Sequence, residues 1–291
     1  MHHHTTSLFE SGLLRVEAFH CAGQHSGFAR EECTSAHEIV VVRRGTFVKR
    51  DASGTQIADA GSALFFAQNQ PYQISHPLAG GDSCVIFTLR PALLFDMLRP
   101  HNPGADARPE QPFAASHAFL SAPLRLRQVV LLALLEREPD NTLLLEETAI
   151  SWLRHLLPPR ATRQRSTARA LTRSARADFV QQVRLALLAN FRRKVSLSEL
   201  AAAVHVSPFF LCRVFKESTG LTLHQYMLRL RLFAALEALL QNPRSDLTEL
   251  ALSLGFASHS HFPGTFTRVF GLPPSRLRQD SGGDLRKILE A

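Results

Sequence analysis

Between residues 196 and 271 the sequence states one pattern twice. Glu199-Leu200-Ala201 returns as Glu249-Leu250-Ala251, and Val206 as Phe256, at an offset of 50. One added residue, Ala257, moves the offset to 51, where Ser207, Leu211, Phe215 and Gly220 match Ser258, Phe262, Phe266 and Gly271. The first copy reads as helix, turn, helix. Ser196 and Glu199 form a capping box for a short helix, and His205-Val206 turns the chain. Ser207-Pro208 then supplies an N-cap with proline at the first helical position, and Gly220 stops the second helix. Two copies are too few for a solenoid, whereas short helices joined by tight turns are the grammar of helix-turn-helix units.

The segment between the copies, Leu223 to Gln241, reads as one amphipathic helix of about 18 residues, roughly 27 Å long. It can hold two recognition helices at its ends, close to the roughly 34 Å between successive major-groove segments on one face of a duplex. Upstream, Phe179, Val183, Leu187 and Phe191 recur at helical spacing after Asp178. The charge is divided accordingly. Up to Pro159 there are 13 Lys+Arg against 16 Asp+Glu, a net −3; beyond it there are 20 against 9, a net +11. A basic half beside a near-neutral one suits a polyanionic partner, because a positive field steers the polymer and releases its counterions. Residues 158–177 carry six arginines and no acid. They read as a basic linker between a domain spanning 1–157 and one spanning 178–291.

These residues carry a resemblance. Gly255, Phe256, Ser258, Phe262, Phe266, Phe270, Gly271, Pro274 and Arg278 stand as in the signature of the AraC/XylS family of transcription regulators. Ser207, Leu211, Arg213, Phe215, Lys216, Gly220 and Tyr226 resemble that family's first unit. The resemblance covers about residues 178 to 279. It implies a seven-helix all-α domain with two helix-turn-helix units, recognition helices at Pro208–Lys216 and about Ser260–Val269, and double-stranded promoter DNA as the partner. It also implies RNA polymerase as a second partner, a homodimer, and activation as the more frequent role.

On the first recognition helix, Leu211 and Phe215 lie four apart and belong to the core. Phe209, Cys212, Arg213 and Lys216 lie towards the other side, facing DNA. Arg213 can bridge guanine O6 and N7, Phe209 can press on a thymine methyl or pack at the helix start, and Lys216 suits a phosphate. The second helix departs from the family pattern: Pro263 and Gly264 stand where groove-facing side chains are usual, and Gly264 replaces the counterpart of Arg213. The second unit is therefore expected to act mainly on phosphates, through His259, His261, Thr267, Arg268 and Arg278.

The first hundred residues alternate short β-prone runs with turn signals: HEIVVV, TFVKR, TQIAD, SALFFA, YQISHP and CVIFTL. A small antiparallel barrel or sandwich is expected, making the chain α+β. Gly45, Gly61, Pro71 and His76 resemble the cupin-like sensor domain that precedes the DNA-binding unit in many family members. A pocket for a small effector is expected inside it, lined by Phe47, Phe65, Tyr72, Ile74 and Phe87, each of which also suits plain core filling. Two helices broken at Pro139-Asp140-Asn141, the second capped by Asn141 or Thr142, resemble dimerisation helices.

Two other function classes follow from these features. A cupin oxygenase fused to a DNA-binding tail needs an HxH pair and a carboxylate, but only His37-Glu38 is present where the motif would start. A nucleoid-coating protein would bind DNA with little sequence preference. No cofactor is expected. Cys21, His76 and Cys84 on adjacent strands could still converge as a metal or redox site, or be ordinary buried side chains, and Cys33 and His25 lie nearby in sequence. Four scattered cysteines without a CxxC pair, no signal-peptide core, and no aliphatic run beyond Val129–Leu135 point to the cytoplasm and away from membranes. Met1-His2-His3-His4 is left out of this reasoning as a possible tag.

Overall fold

The computed structural model describes residues 3–23, 27–157, 170–256 and 261–279, which fall into two compact units, 3–157 and 170–279. Among the described residues no single helix is long and apolar enough to cross a membrane.

The first unit is sheet-rich. Its strands are β1 His3–Glu10, β2 Leu14–Cys21, β3 Glu38–Gly45, β4 Phe47–Asp51, β5 Gly54–Ala58, β6 Ser62–Phe66, β7 Gln73–Ser75, β8 Asp82–Leu89 and β9 His117–Phe119. The six β-prone runs became β3 to β8; β1 and β2 lie ahead of the first run singled out in the sequence. The strands form a six-stranded sheet, β1-β2-β8-β3-β6-β9, and a three-stranded one, β5-β4-β7, antiparallel throughout. The expected barrel does not close among the described residues. The larger ladder stops at β1 and β9, and the smaller sheet keeps its own ladder.

Between the sheets Val40, Val42, Leu64 and Phe66 of the larger meet Phe47 and Ala58 of the smaller. Strand side chains alternate between faces, so Phe87, one residue from Ile86, points the other way. Its ring stacks on Trp152, centroids 5.2 Å apart.

That outer face is covered by helices, α1 Pro91–Leu98, α2 Ala122–Arg137 and α3 Thr142–Leu156. Ser121 caps α2 by accepting from the Leu124 N–H. The break falls at Pro139-Asp140-Asn141 as the sequence indicates, but Asn141 makes no capping bond; its amide instead donates to Glu138 at 3.3 Å. The fully buried Arg125 fastens α2 to the sheet, donating to the carbonyls of Val42 and Arg43 at 3.0 Å each and to Gln128 at 2.6 Å. Those carbonyls border a bulge in the pairing of β3 with β8, where regular ladder bonding is interrupted.

The second unit is helical: α4 Ala170–Asn190, α5 Leu197–Ala203, α6 Pro208–Thr219, α7 Leu223–Gln241, α8 Leu247–Ser253, α9 His261–Phe270 and α10 Pro274–Gln279. Helix α4 starts eight residues ahead of Asp178, inside the arginine-rich stretch, whose alanines and arginines are strong helix formers. The earlier part of that stretch, 158–169, lies outside the described residues. Ser196 and Glu199 close the expected capping box, with bonds of 3.1 and 2.7 Å, and Ser207 caps α6 through the Phe210 N–H at 3.2 Å. Helices α5 and α6 meet at 85° around Leu200, Leu211 and Phe215. Helix α7 has the bounds expected of the spacer and begins with a second capping box, Thr222 with Gln225.

Candidate nucleic-acid interface and interior cavity

Helix α6 divides as its periodicity requires. Leu211, Val214 and Phe215 are buried, while Phe209, Cys212, Arg213 and Lys216 are exposed. Phe209 is 77% exposed, so its ring adds nothing to the core of this unit. The Arg213 guanidinium lies about 6 Å from the rings of Phe209 and Phe210, at the edge of cation–π range. Among the described residues this side chain carries its positive charge on an exposed helix face with no acidic partner.

The second copy is built alike but presents less. Phe262, Thr265, Phe266 and Phe270 of α9 point inward, and His261, Gly264 and Arg268 outward. Pro263 sits in the first turn, where a missing N–H costs nothing. A side chain at Gly264 would meet nothing within 4 Å, so this position is a bare patch where α6 carries Arg213. Thr267 donates its hydroxyl to the Pro263 carbonyl at 2.8 Å, and His261 Nε2 lies 3.2 Å from the Thr265 hydroxyl. Arg278 donates to the Pro243 carbonyl at 2.6 Å, fastening α10 to the connection between α7 and α8. His259 lies outside the described residues.

Close backbone approaches join the copies into one body. Arg231 of α7 donates to the carbonyls of Phe191 and Arg193 at 2.6 and 3.0 Å. Gly255, with φ of +82°, lies so near the chain that follows α4 that a Cβ there would stand 2.5 Å from the Arg192 carbonyl oxygen.

Between the sheets of the first unit lies a cavity of about 200 Å³. Phe47, Tyr72 and Ile74 line it as expected, together with Phe19 and Phe66, which the sequence reading passed over. Phe65 and Phe87 do not, because both have the opposite strand parity. Phe65 stacks on Phe113 at 4.9 Å, and Phe87 on Trp152. Glu38 reaches the cavity, and burial, reinforced by Glu17 and partly offset by Arg15, pushes its carboxyl up to about 7. His37 accepts from the Gln68 N–H at 3.0 Å through Nδ1 and lies edge-on to Phe95 and Phe113, away from the cavity lining.

One end of the cavity is polar. Cys21, His76 and Cys84, singled out in the sequence, come together there, joined by Asp82, which the sequence reading passed over. Cys21 and Asp82 are direct partners across β2 and β8, and Cys84 lies two residues along on the same face. His76 follows β7 and enters from the smaller sheet. Its Nε2 stands 2.5 Å from Asp82 Oδ1, and the Cys84 thiol donates to Asp82 Oδ2 at 2.9 Å. The signal available in the sequence was the alternation Asp82-x-Cys84. Cys33 is exposed, and His25 lies outside the described residues.

Residues 200–280 match the family model described as a helix-turn-helix domain. The chain is 35% identical over 92 residues to the bifunctional transcriptional activator/DNA repair enzyme AdaA of Bacillus subtilis, covering 32% of this chain and 43% of that one. It is 37% identical over 97 residues to the transcriptional activator RhaS of Escherichia fergusonii, covering 33% and 34%. The chain spans less than half the length of these curated relatives. A solved transcriptional regulator of Chromobacterium violaceum, described as containing an AraC-type DNA-binding domain, is 28% identical with a TM-score of 0.34, covering 38% of this chain and 96% of that one. Residues 200–280 of the helical C-terminal unit match a helix-turn-helix domain, and over that unit the chain is similar to these transcription regulators.

Proposed function

We propose that the chain is a sequence-specific DNA-binding transcription regulator whose N-terminal unit senses a small effector. The observation that carries this reading is the free face of α6. Phe209, Arg213 and Lys216 all point to solvent from a capped, rigidly packed helix at the end of a basic helix-turn-helix unit. In this reading Arg213 reads a base edge, Lys216, Arg268 and His261 meet phosphates, and Cys212 and Phe209 press on the groove wall. His259 joins the phosphate set, Thr267 joins it by turning its hydroxyl from the Pro263 carbonyl to a phosphate oxygen on binding, and Arg278 combines a phosphate contact with its anchoring bond to Pro243. The cavity between the sheets of a cupin-like domain takes the effector against Phe47, Phe66, Tyr72 and Ile74. The domains run 1–157 and 178–291, joined by the basic segment 158–177, the last eight residues of which already belong to α4. The protein acts in the cytoplasm as a homodimer and activates transcription with RNA polymerase. It performs no catalysis; AdaA's repair activity belongs to that relative.

The test is capture of genomic fragments by the purified protein at two salt concentrations, followed by footprinting. Enrichment of a few promoters protected over two adjacent groove segments is expected. Uniform, salt-labile binding would replace this reading with that of a coating protein.

A further inference from the structure

We propose that the inner end of the N-terminal cavity is a binding site for one zinc-class divalent ion, ligated by Cys21, His76, Asp82 and Cys84. The inference concerns the N-terminal unit alone, and its test reads metal directly, so it stands or falls independently of what the chain does on DNA.

The geometry comes first. Ligand atoms of Cys21, His76 and Asp82 all lie within 4.8 Å of one another. A tetrahedral site with metal–ligand bonds of about 2.0–2.3 Å needs its donors about 3.3–3.8 Å apart, so adjustments of about 1 Å complete it. Cys84 lies outside that three-residue cluster but donates to the second carboxylate oxygen at 2.9 Å, and it becomes the fourth donor by turning its sulfur from that oxygen to the metal. The backbone holds this arrangement on two sheets. Cys21, Asp82 and Cys84 share one face of paired strands, and His76 closes the set from the opposite sheet. Gly81, with φ of +61°, lets the β8 strand start against β2: a Cβ there would lie 1.8 Å from the Cys21 carbonyl oxygen.

Burial makes this more than a chance grouping. Cys21, His76, Asp82 and Cys84 are each at most 4% exposed. A buried carboxylate costs several kcal/mol unless it is compensated, and one imidazole hydrogen bond supplies only part of that compensation. The Cys84 thiol on the carboxylate and the neighbouring Cys21 thiol, whose sulfur accepts from the Gly23 N–H at 3.4 Å, add no opposing charge, but they are what a borderline-soft cation requires. The donor set of two sulfurs, one nitrogen and one oxygen excludes magnesium and calcium, which take oxygen ligands, and selects zinc among the common ions. On loading, the two thiols release their protons to solvent, imidazole binds neutral through Nε2, and the divalent ion faces two thiolates and a carboxylate. The net charge of the loaded cluster is −1.

The experiment uses the full chain carrying His2→Ala and His4→Ala, which removes competing N-terminal imidazoles while keeping His3, a residue of the cavity lining that pairs with Cys21, after dialysis against a chelator. Titration with Zn²⁺ is expected to give one ion per chain with release of two protons. Co²⁺ is expected to give thiolate-to-metal charge-transfer bands and tetrahedral visible bands. Cys21→Ser and Cys84→Ser should each weaken Zn²⁺ binding by at least the roughly 10–100-fold that changes beyond the ligands themselves cost. Cys33→Ser should leave it unchanged. Stoichiometry well below one, cobalt spectra without sulfur bands, or affinity unchanged in the Cys21→Ser/Cys84→Ser pair would overturn the site. The cobalt spectrum needs no variant and so holds even where a substitution unfolds the domain.

Discussion

Glu38 ties the chemistry of the cavity to the stability of the sheets around it. Its carboxyl titrates near 7 in the folded unit against an ordinary 4.5, because burial and Glu17 disfavour the charge more than Arg15 favours it. A group whose folded pKa is raised contributes stability that is complete below the unfolded value and is lost as pH climbs through the folded one. The first unit should therefore lose stability between about pH 5 and pH 8. After allowance for the partial exposure of Glu38, this group accounts for about 1–2 kcal/mol. Thermal melts of the metal-free chain should show Glu38→Gln with a flatter profile and a higher midpoint at pH 8; parallel profiles for variant and parent would refute the assignment. Gly81 makes a harder demand. Gly81→Ala forces both a left-handed backbone on alanine and a Cβ into the Cys21 carbonyl, so a loss of more than about 2 kcal/mol is expected in denaturant melts. A neutral Gly81→Ala would mean that the β2–β8 junction can part. On the other unit, Arg213→Ala should cost about 1–3 kcal/mol at a single base position and leave the fold intact. Operator preference that survives this change would move base reading away from α6.

At the scale of elements, what was legible in the sequence is what is local. Caps, proline at N1, terminal glycines and apolar periodicity all act within one turn of helix, and they place α5, α6 and α7 within a residue or two of where they stand. The duplication shows its logic at the turn. His205 has φ of +55° and Gly255, its counterpart fifty residues on, has φ of +82°. The turn demands a left-handed residue, and the first copy meets that demand with a strained histidine. His205→Gly should therefore stabilise the helical unit by about 0.5–1 kcal/mol, a gain readable as a higher thermal midpoint. A fall would show that the His205 side chain contributes more than its backbone costs.

Strand parity was not legible in this way. Phe65 and Phe66 are equally apolar, and only the pairing of β6 with β3, more than twenty residues away, decides which ring faces the cavity. Asp82 was hidden for a related reason. After Gly80-Gly81 it reads as a turn residue, and only its pairing with Cys21 makes it part of a site.

At the scale of the whole molecule, the helical unit presents two copies of one device with unequal faces. Helix α7 has 19 residues, about 28 Å, and it joins the copies into one body through Arg231 and the Gly255 turn. In the proposed function both copies engage adjacent groove segments of one duplex together, but they do not ask the same of it. The first offers Arg213 with Phe209 beside it. The second offers the bare Gly264, a threonine hydroxyl already satisfied by the Pro263 carbonyl, and Arg268. Base-edge contacts discriminate by about 1–3 kcal/mol, whereas phosphate contacts bind all sequences alike. The footprint should consequently span two segments while sequence preference resides in one. Substituting each base pair of the operator and measuring affinity should give losses of about 1–3 kcal/mol at several positions under α6 and below about 0.5 kcal/mol under α9. Arg268→Ala should weaken every operator variant equally and reduce the slope of log affinity against log salt by about 1. Equal preference in both segments would show that α9 reads bases despite Gly264, through His261 and its neighbours. The asymmetry of the two copies would then lie in their packing and not in what they recognise.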